Sequence, residues 1–372
     1  MVNQQIVEAA VAAVLDPYTG APLGAAKAVR DVVVTPERIT LRVTVGYPSV
    51  SAAPTLRARV EDAVRAAIRT AGGADGQDGA SPDVQVAIDH KIVAHAVQRG
   101  VKLLPNVKNI IAVASGKGGV GKSTTAANIA LALVADGARV GVLDADIYGP
   151  SQPLLLGISG QPETTDGKSM EPMTGHGLQV NSIGFLVAQD NPMVWRGPMV
   201  SSALDQLLNQ TNWQDLDYLI VDMPPGTGDI QLTLAQKVPV TGAVIVTTPQ
   251  DLALLDARKG LKMFEKVGIP ILGIVENMSI HVCSNCGHAE PIFGSGGAER
   301  MCGDYNVDFL GALPLDIAIR QQADAGVPTV VAAPDGAIAG AYRDIARRIA
   351  VSVAAKHRDM SAKFPTIVVQ NS

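Results

Sequence analysis

One string constrains the fold of this chain more than any other feature: Gly116-Lys117-Gly118-Gly119-Val120-Gly121-Lys122-Ser123-Thr124. The apolar, β-branched run 110–114 precedes it, and the Ala- and Leu-rich run 125–135 follows it. These runs predict a buried parallel strand and a helix. Glycines between such elements let backbone N–H groups point at phosphate oxygens, and the helix N-terminus favours negative charge. The string therefore predicts a phosphate-binding loop.

Three side chains of this loop have expected roles. Lys122 is predicted to reach the β- and γ-phosphates of a nucleotide, and Ser123 to ligate Mg²⁺. Lys117 directly follows the first glycine. A lysine there resembles the deviant P-loop of the ParA, MinD and nitrogenase-iron-protein class. That resemblance implies a homodimer in which Lys117 reaches the partner's nucleotide, so Lys117 joins Lys122 as a candidate catalytic residue.

Carboxylates follow two further predicted strands. Asp144 and Asp146 come after strand 139–143, and Asp222 ends the apolar strand 218–222 in a Walker B pattern. Open parallel sheets bind ligands at the carboxyl ends of their strands. We expect Asp144 to hold the Mg²⁺ shell and Asp146 to orient the attacking water. Asp222 is predicted to accept a hydrogen bond from a Mg²⁺-bound water.

Two other strand ends carry polar or flexible residues. The loop 223–229, rich in Pro and Gly, follows Asp222 and is typical of a switch whose position depends on the γ-phosphate. Within it, the N–H of Gly226 is expected to approach that phosphate. Asn277 ends the strand 271–277, where its amide can either contact the adenine edge or cap the strand.

A second candidate site is the CxxC pair formed by Cys283 and Cys286. Two thiolates at this spacing can bind one metal through a tight turn, but they are half of a four-thiolate site. His281, His288 or Cys302 can complete a zinc site within one chain. The pair can alternatively form a redox disulfide. In a twofold dimer it would give Cys₄, which suits a [4Fe–4S] cluster, and we favour iron–sulfur over zinc.

Bulk properties narrow the classes of partner. With a net charge of −5, no global basic field indicates nucleic acid as a partner. No apolar run reaches the length of a membrane span, and no signal peptide is visible. Three cysteines do not form a disulfide framework, which fits the reducing cytoplasm. We therefore expect a cytoplasmic protein that binds neither nucleic acid nor membranes.

The 372 residues are long enough for two domains. We predict a small α+β domain over 1–98, a linker over 99–108, a P-loop ATPase domain over 109–360 and a tail over 361–372. For the ATPase domain, apolar strands that alternate with helices predict a doubly wound, mainly parallel α/β sheet. The Pro-, Gly- and Thr-rich stretch 161–177 is expected to be a mobile surface insertion.

The motifs GKGGVGKST, LDADIYGPS, DMPPGTGD, ENMS and CxxC, in this order, resemble the Mrp/ApbC-type P-loop ATPases over 104–355. That resemblance implies ATP hydrolysis with Mg²⁺, a [4Fe–4S] cluster on Cys283 and Cys286, a homodimer, and transfer of the cluster to client apoproteins. It also implies a base contact for Asn277. The small domain is similar, in its order of elements, to the domain often fused to these ATPases. That family domain often carries a cysteine near its second helix, whereas segment 46–49 of this chain contains none, so we assign no metal chemistry to the small domain.

Two alternatives remain open from the sequence. The first is a ParA/MinD-like positioning ATPase, which requires a basic surface or an amphipathic membrane-binding tail. Segment 364–369 disfavours it, because this segment is short and contains proline. An NTPase with a structural zinc site would use the CxxC pair without an iron–sulfur cluster.

Overall fold

The computed structural model describes residues 2–72, 82–98, 101–164, 166–187, 197–283 and 285–356. The chain forms two compact units, Met1–Ile92 and Val93–Ser372. The predicted tail, 361–372, lies outside the described residues. Among the described residues, no helix combines the length and the apolar character needed to cross a membrane.

The boundary between the units lies before the predicted one. Segment 93–98, predicted to end the small domain, belongs to the larger unit. There the buried His95 ring hydrogen-bonds through Nδ1 to the side-chain oxygen of Asn109 at 2.9 Å. Since Asn109 lies in the first strand of the larger unit, this bond ties the segment to that unit.

The small unit is an α+β module with five elements: α1 (Gln4–Ala12), β1 (Val29–Val34), β2 (Arg38–Val45), α2 (Ala53–Gly72) and β3 (Asp83–His90). Strand β2 lies in the middle of its sheet, antiparallel to β1 and parallel to β3. Buried residues alternate along β2, from Ile39 to Val45, as in a strand with one face on the core. The predicted small α+β domain is confirmed.

The larger unit is built on an eight-stranded sheet: β4 (Val107–Ala114), β5 (Val140–Asp144), β6 (Met173–Gly175), β7 (Leu178–Ser182), β8 (Leu216–Asp222), β9 (Gly242–Thr247), β10 (Ile271–Glu276) and β13 (Phe309–Ala312). A separate hairpin contains β11 (His281–Val282) and β12 (Ala289–Glu290). The sheet order is β13-β10-β9-β4-β8-β5-β7-β6. Every neighbouring pair is parallel except β6 with β7, which confirms the predicted doubly wound, mainly parallel α/β class.

Helices connect the strands: α3 (Lys122–Ala135), α4 (Gln152–Leu155), α5 (Gly197–Asn209), α6 (Asp229–Lys237), α7 (Asp251–Lys266), α8 (Gly297–Tyr305), α9 (Ile317–Asp324), α10 (Thr329–Ala332) and α11 (Ala337–Ala354), with a 3₁₀ turn at Ile183–Phe185. They form two sets by mutual contact. Helices α3, α4, α9, α10 and α11 form one set, and α5, α6, α7 and α8 form the other. Strand β4 is buried from Asn109 to Ala114, as a strand covered on both faces must be.

The stretch 161–177 differs from its prediction. Its end forms β6, which pairs antiparallel with β7 in the register Met173 with Val180 and Gly175 with Leu178. Strand β6 has no clear signal in the sequence, because a three-residue strand beside a glycine turn has too short a pattern. This hairpin makes β6 the edge of the large sheet.

Phe264 tests whether α7 holds the core of the larger unit. Its side chain is fully buried, whereas Leu252 on the same helix is 73% exposed. We expect Phe264→Ala to lower the free energy of unfolding by about 3–5 kcal/mol through lost burial and a cavity. The matched Leu252→Ala should change it by less than about 0.5 kcal/mol. Urea unfolding followed by tryptophan fluorescence measures both, and equal effects would contradict this packing.

Candidate nucleotide and metal site

The loop between β4 and α3 has the conformation that a phosphate cradle requires. Gly119 and Gly121 both have φ of 80°, in the left-handed region where glycine carries no penalty. Gly116 is needed for another reason, because a Cβ there would lie 2.1 Å from the carbonyl carbon of Asp256. The start of the loop is therefore packed on the backbone of α7.

Lys122 connects this loop to the Walker B strand. Its side chain is 6% exposed, and its Nζ forms an ion pair with the Asp222 carboxylate, which is fully buried. The same Nζ donates to the Ser123 hydroxyl at 3.1 Å. The structure therefore brings three of the predicted site residues together at one point.

The same contacts indicate whether the side chains of this site suit Mg²⁺. The Ser123 hydroxyl and the Asp222 carboxylate both contact Nζ of Lys122, so their oxygens face a common position for a cation. Mg²⁺ prefers oxygen ligands and keeps several waters, as a hydroxyl beside one carboxylate allows. These two side chains fit the ion.

The carboxylate of Asp144 has other contacts. It is fully buried, and its Oδ2 accepts hydrogen bonds from the N–H groups of Ser151 (2.9 Å) and Gln152 (3.0 Å) and from the Ser182 hydroxyl (3.0 Å). Its Oδ1 accepts from the N–H of Asp146 at 3.2 Å. These bonds hold the turn after β5. The predicted Mg²⁺ role of Asp144 stays a prediction, and its contacts favour a positioning role.

Two other candidate catalytic residues lie at the edge of this site. Asp146 is half-buried and accepts from the N–H of Gly149 at 3.3 Å; burial raises its pKa, against the lowering effect of Lys122. Its role with water stays a prediction. Lys117 is half-buried, and within the described ranges its ammonium group forms no ion pair. Its predicted contact with a partner's nucleotide is likewise not tested within one chain.

The predicted switch loop is anchored to the P-loop strand. The N–H of Gly226, expected to approach a phosphate, donates instead to the Ser115 carbonyl at 2.9 Å. The Gln231 side chain donates to the Pro225 carbonyl. In this structure the loop is therefore held on the residue that follows β4.

Asn277 contacts the P-loop directly. Its amide nitrogen donates to the Val120 carbonyl at 2.8 Å, and its backbone N–H donates to Thr247 at 2.7 Å. A Cβ on Gly121 would lie 2.2 Å from that amide nitrogen. The predicted adenine contact stays a prediction, and the observed contact fixes the loop to the end of β10.

The CxxC pair forms the turn of the β11–β12 hairpin. The Cys283 N–H donates to the His288 carbonyl at 2.9 Å, and the Gly287 N–H donates to the Cys283 carbonyl at 2.8 Å. Cys283 is half-buried and Cys286 is exposed. Hydrogen bonds from the N–H groups of Cys286 and Asn285 lower the pKa of the Cys283 thiol. The turn thus favours a thiolate, the form that binds metals.

The described residues do not assemble a complete zinc site at the CxxC pair within one chain. Across the described ranges, no three or more His, Cys, Asp and Glu side chains lie where they can hold a metal ion. Cys302 is buried in α8, where burial raises its pKa to about 11. His281 hydrogen-bonds through Nδ1 to the Leu315 carbonyl at 3.0 Å. One chain therefore contributes two thiols at this turn.

Two residues of the site were missed by sequence reasoning. Gln152 is fully buried and donates to Asp222. Glu276, 2% exposed, accepts from the N–H groups of Gly296 (3.1 Å) and Ala298 (2.8 Å). A charged residue at the end of an apolar strand is a signal that could have identified Glu276. No comparable signal marks Gln152.

Two protein families match the two units of this chain. Residues 106–350 match the family described as NUBPL iron-transfer P-loop NTPase, of the ParA type. The chain belongs to this NTPase family. Residues 4–74 match a second family, described as iron-sulfur cluster assembly protein, which corresponds to the small unit. The first match confirms the resemblance inferred from the motifs, and the second confirms the similarity that the order of elements indicated for the small domain.

Two relatives of this NTPase are named as iron-sulfur cluster carrier or transfer proteins. The iron-sulfur cluster carrier protein of Escherichia coli K12 is 61% identical over 272 residues, or 72% of this chain and 74% of the relative. The mouse iron-sulfur cluster transfer protein NUBPL is 50% identical over 250 residues, or 67% and 78% of the two chains. A nucleotide-binding protein from Archaeoglobus fulgidus, solved with ADP, is 39% identical with a TM-score of 0.53, covering 59% of this chain and 87% of that one.

The buried Asp144 gives this NTPase a pH-dependent stability. Burial, and then the neighbouring Asp222 charge, raise the pKa of Asp144 from 3.8 to about 7. The native state then binds the proton more tightly than the unfolded state, so this stabilisation is fully present below about pH 4 and lost as pH rises through about 7. We expect the free energy of unfolding of the nucleotide-free wild type, relative to Asp144→Asn, to fall between pH 5 and 8.

Urea unfolding at each pH measures this difference. Asp335 is exposed, so Asp335→Asn should show little such trend. A difference between wild type and Asp144→Asn that grows with pH would contradict the assignment.

Proposed function

We propose that this NTPase binds and hydrolyses ATP with Mg²⁺ and carries a [4Fe–4S] cluster, held between two copies of the chain, to client apoproteins. The single observation that carries this proposal is the short connection between the P-loop and the CxxC turn. Asn277 contacts the Val120 carbonyl, and Cys283 follows six residues later in the same segment. A nucleotide on the P-loop and a cargo on the thiols thus share one structural support.

The number of thiols supports a site shared by two copies. Each chain offers Cys283 and Cys286 at its turn, whereas Cys302 is buried in the core. A [4Fe–4S] cluster takes four thiolates, and an isologous twofold contact supplies the same pair twice. Lys117, whose ammonium forms no ion pair among the described residues, is a candidate for the partner's nucleotide in that dimer.

The nucleotide chemistry follows from the contacts of the P-loop. Bound Mg²⁺ neutralises charge that develops on the phosphates, and Ser123 and Asp222 are the side chains that would hold it. Lys122, now paired with Asp222, would turn to the phosphates. Asp146 would orient the attacking water.

The exposed position of Cys286 supports a carrier role, because a cargo that is handed to another protein must be accessible. The names of the Escherichia coli and mouse relatives point to the same cargo. We place the carrier in the reducing cytoplasm, where exposed thiols remain reduced.

Both ends of the segment that carries the CxxC pair are held by residues at the end of β10, beside the P-loop. Before the hairpin, Asn277 contacts the P-loop, and after it the Glu276 carboxylate holds the N–H groups of Gly296 and Ala298. The hairpin therefore leaves and returns to the carboxyl end of β10. A shift of the P-loop on nucleotide exchange would move both ends together.

Cluster content tests the cargo. After anaerobic reconstitution we expect about four iron and four acid-labile sulfide per dimer, the content of one [4Fe–4S] cluster. Cys283→Ala and Cys286→Ala should both lose it, whereas Cys302→Ala should retain it. Iron, sulfide and zinc analysis with size-exclusion chromatography measures this, and one zinc per chain without sulfide would refute the carrier.

Glu276 tests the link between nucleotide and thiols. Glu276→Gln replaces one acceptor oxygen by an amide that cannot receive an N–H, which loosens the return of the segment. In wild type we expect the alkylation rate of the two CxxC thiols to differ by about fivefold between ATP-analogue and ADP states, at the low end of usual coupling. This difference should shrink in Glu276→Gln while nucleotide affinity is kept.

Glu299→Gln is the matched control, since Glu299 is an exposed carboxylate of α8 in the same segment. It should keep the wild-type response. An unchanged response in Glu276→Gln would show that this carboxylate is not part of the link.

A further inference from the structure

Gln152 lies at the centre of the nucleotide site, although no sequence pattern distinguishes it. It is the first residue of α4, in the turn that follows β5 and Asp144, and its side chain is fully buried. Its backbone N–H donates to the Asp144 carboxylate at 3.0 Å. The residue is therefore fixed in place before any ligand arrives.

The side-chain amide joins two parts of the site. Its Nε2 donates to the Ser123 carbonyl at 3.1 Å and to Oδ2 of Asp222 at 2.9 Å. Both partners are acceptors, so they determine which end of the amide faces them. Gln152 thus spans the first turn of α3 and the end of β8.

This bond makes the two oxygens of Asp222 different. Oδ2 receives a hydrogen bond from a neutral amide, while Oδ1 pairs with the Lys122 ammonium. A neutral donor orients the carboxylate without cancelling its charge. If Lys122 turns to a phosphate, Oδ1 keeps its direction and its full charge for another cation.

The other end of the amide has an unmet hydrogen-bonding need. Within the described part of the chain, the buried Oε1 of Gln152 has no hydrogen-bond partner, and neither has the neighbouring Ser151 hydroxyl. A buried polar atom without a partner costs free energy, so each such atom in a native protein needs an explanation, and a bound water or ion is one of them. Two such atoms in adjacent residues, of which Gln152 donates to Asp222 and Ser151 to Asp144, point to a polar ligand at this position.

We propose that Gln152 is a positioning residue for a hydrated divalent cation: its Nε2 orients the Asp222 carboxylate, and its Oε1 accepts a hydrogen bond from a water of the cation's shell. This inference rests on the Mg²⁺-dependent nucleotide chemistry proposed above. Mutation of a residue that orients a metal ligand without touching the metal commonly lowers metal affinity or activity by about 10–100-fold.

The test separates Mg²⁺ dependence from nucleotide binding. Gln152→Met keeps the length of the side chain but removes both polar atoms, and Gln152→Asn keeps the amide but cannot span the two partners. Binding of a fluorescent non-hydrolysable ATP analogue is measured in EDTA and across a MgCl₂ titration. Circular dichroism checks folding, and ATPase assays give kcat and KM.

We expect both variants to need about tenfold more Mg²⁺ than wild type for the half-maximal effect, with each protein measured against its own binding in EDTA. Turnover should show a lowered kcat with little change in KM at low Mg²⁺, and excess Mg²⁺ should partly restore it. Gln98→Met is the matched control. That amide also donates to a backbone carbonyl, of Ala235, and has a buried oxygen without a partner among the described residues, but it lies outside the P-loop.

A wild-type Mg²⁺ requirement in folded Gln152→Met would overturn the inference. If Gln152→Met does not fold, a wild-type requirement in Gln152→Asn overturns it equally. If wild type itself binds the analogue equally with EDTA and with Mg²⁺, the magnesium part of the proposed function fails, and this inference fails with it.

Discussion

The buried ion pair between Lys122 and Asp222 is the interaction on which the nucleotide site depends. Removing both charges from water costs several kcal/mol per ion, and the pair is retained because each charge neutralises the other. In the mechanism we propose, a nucleotide would offer Lys122 a new anionic partner, and most of the desolvation would be complete before the ligand arrives. The released Asp222 carboxylate would then need a cation, which would tie phosphate binding to metal binding in one exchange of partners.

The parallel sheet gathers the other site residues around this pair. In the ladder of β5 and β8, Asp144 lies opposite Asp222, and in that of β4 and β8, Val113 lies opposite Asp222. Since the central strands point the same way, their carboxyl ends meet at one edge, and Asn277 joins them from β10. That edge also supports the CxxC hairpin, which explains how two chemically unlike sites belong to one unit.

The sequence alone identifies the candidate residues that belong to motifs with a fixed spacing along the chain. The P-loop string, Asp222 and the CxxC pair each have a local pattern tied to a known structural context. Gln152 and Glu276 were missed, because their importance comes from atoms distant in the chain, at Asp222 and at Ala298. The contacts of Asp144 show the same limit: a carboxylate after a strand suggests a metal, but three donors brought by the fold decide what it binds in this structure.

The strand order also has a consequence for how the chain is made. Strand β4 and its loop are synthesised before β8 and β9, the strands that flank β4 in the finished sheet. On the ribosome, the emerging P-loop string therefore has no Asp222 for Lys122 and no Asn277 for Val120. The small unit, complete at His90, can fold first, since domains fold as units during synthesis. The nascent chain consequently gains its nucleotide site late, once Asn277 has left the exit tunnel.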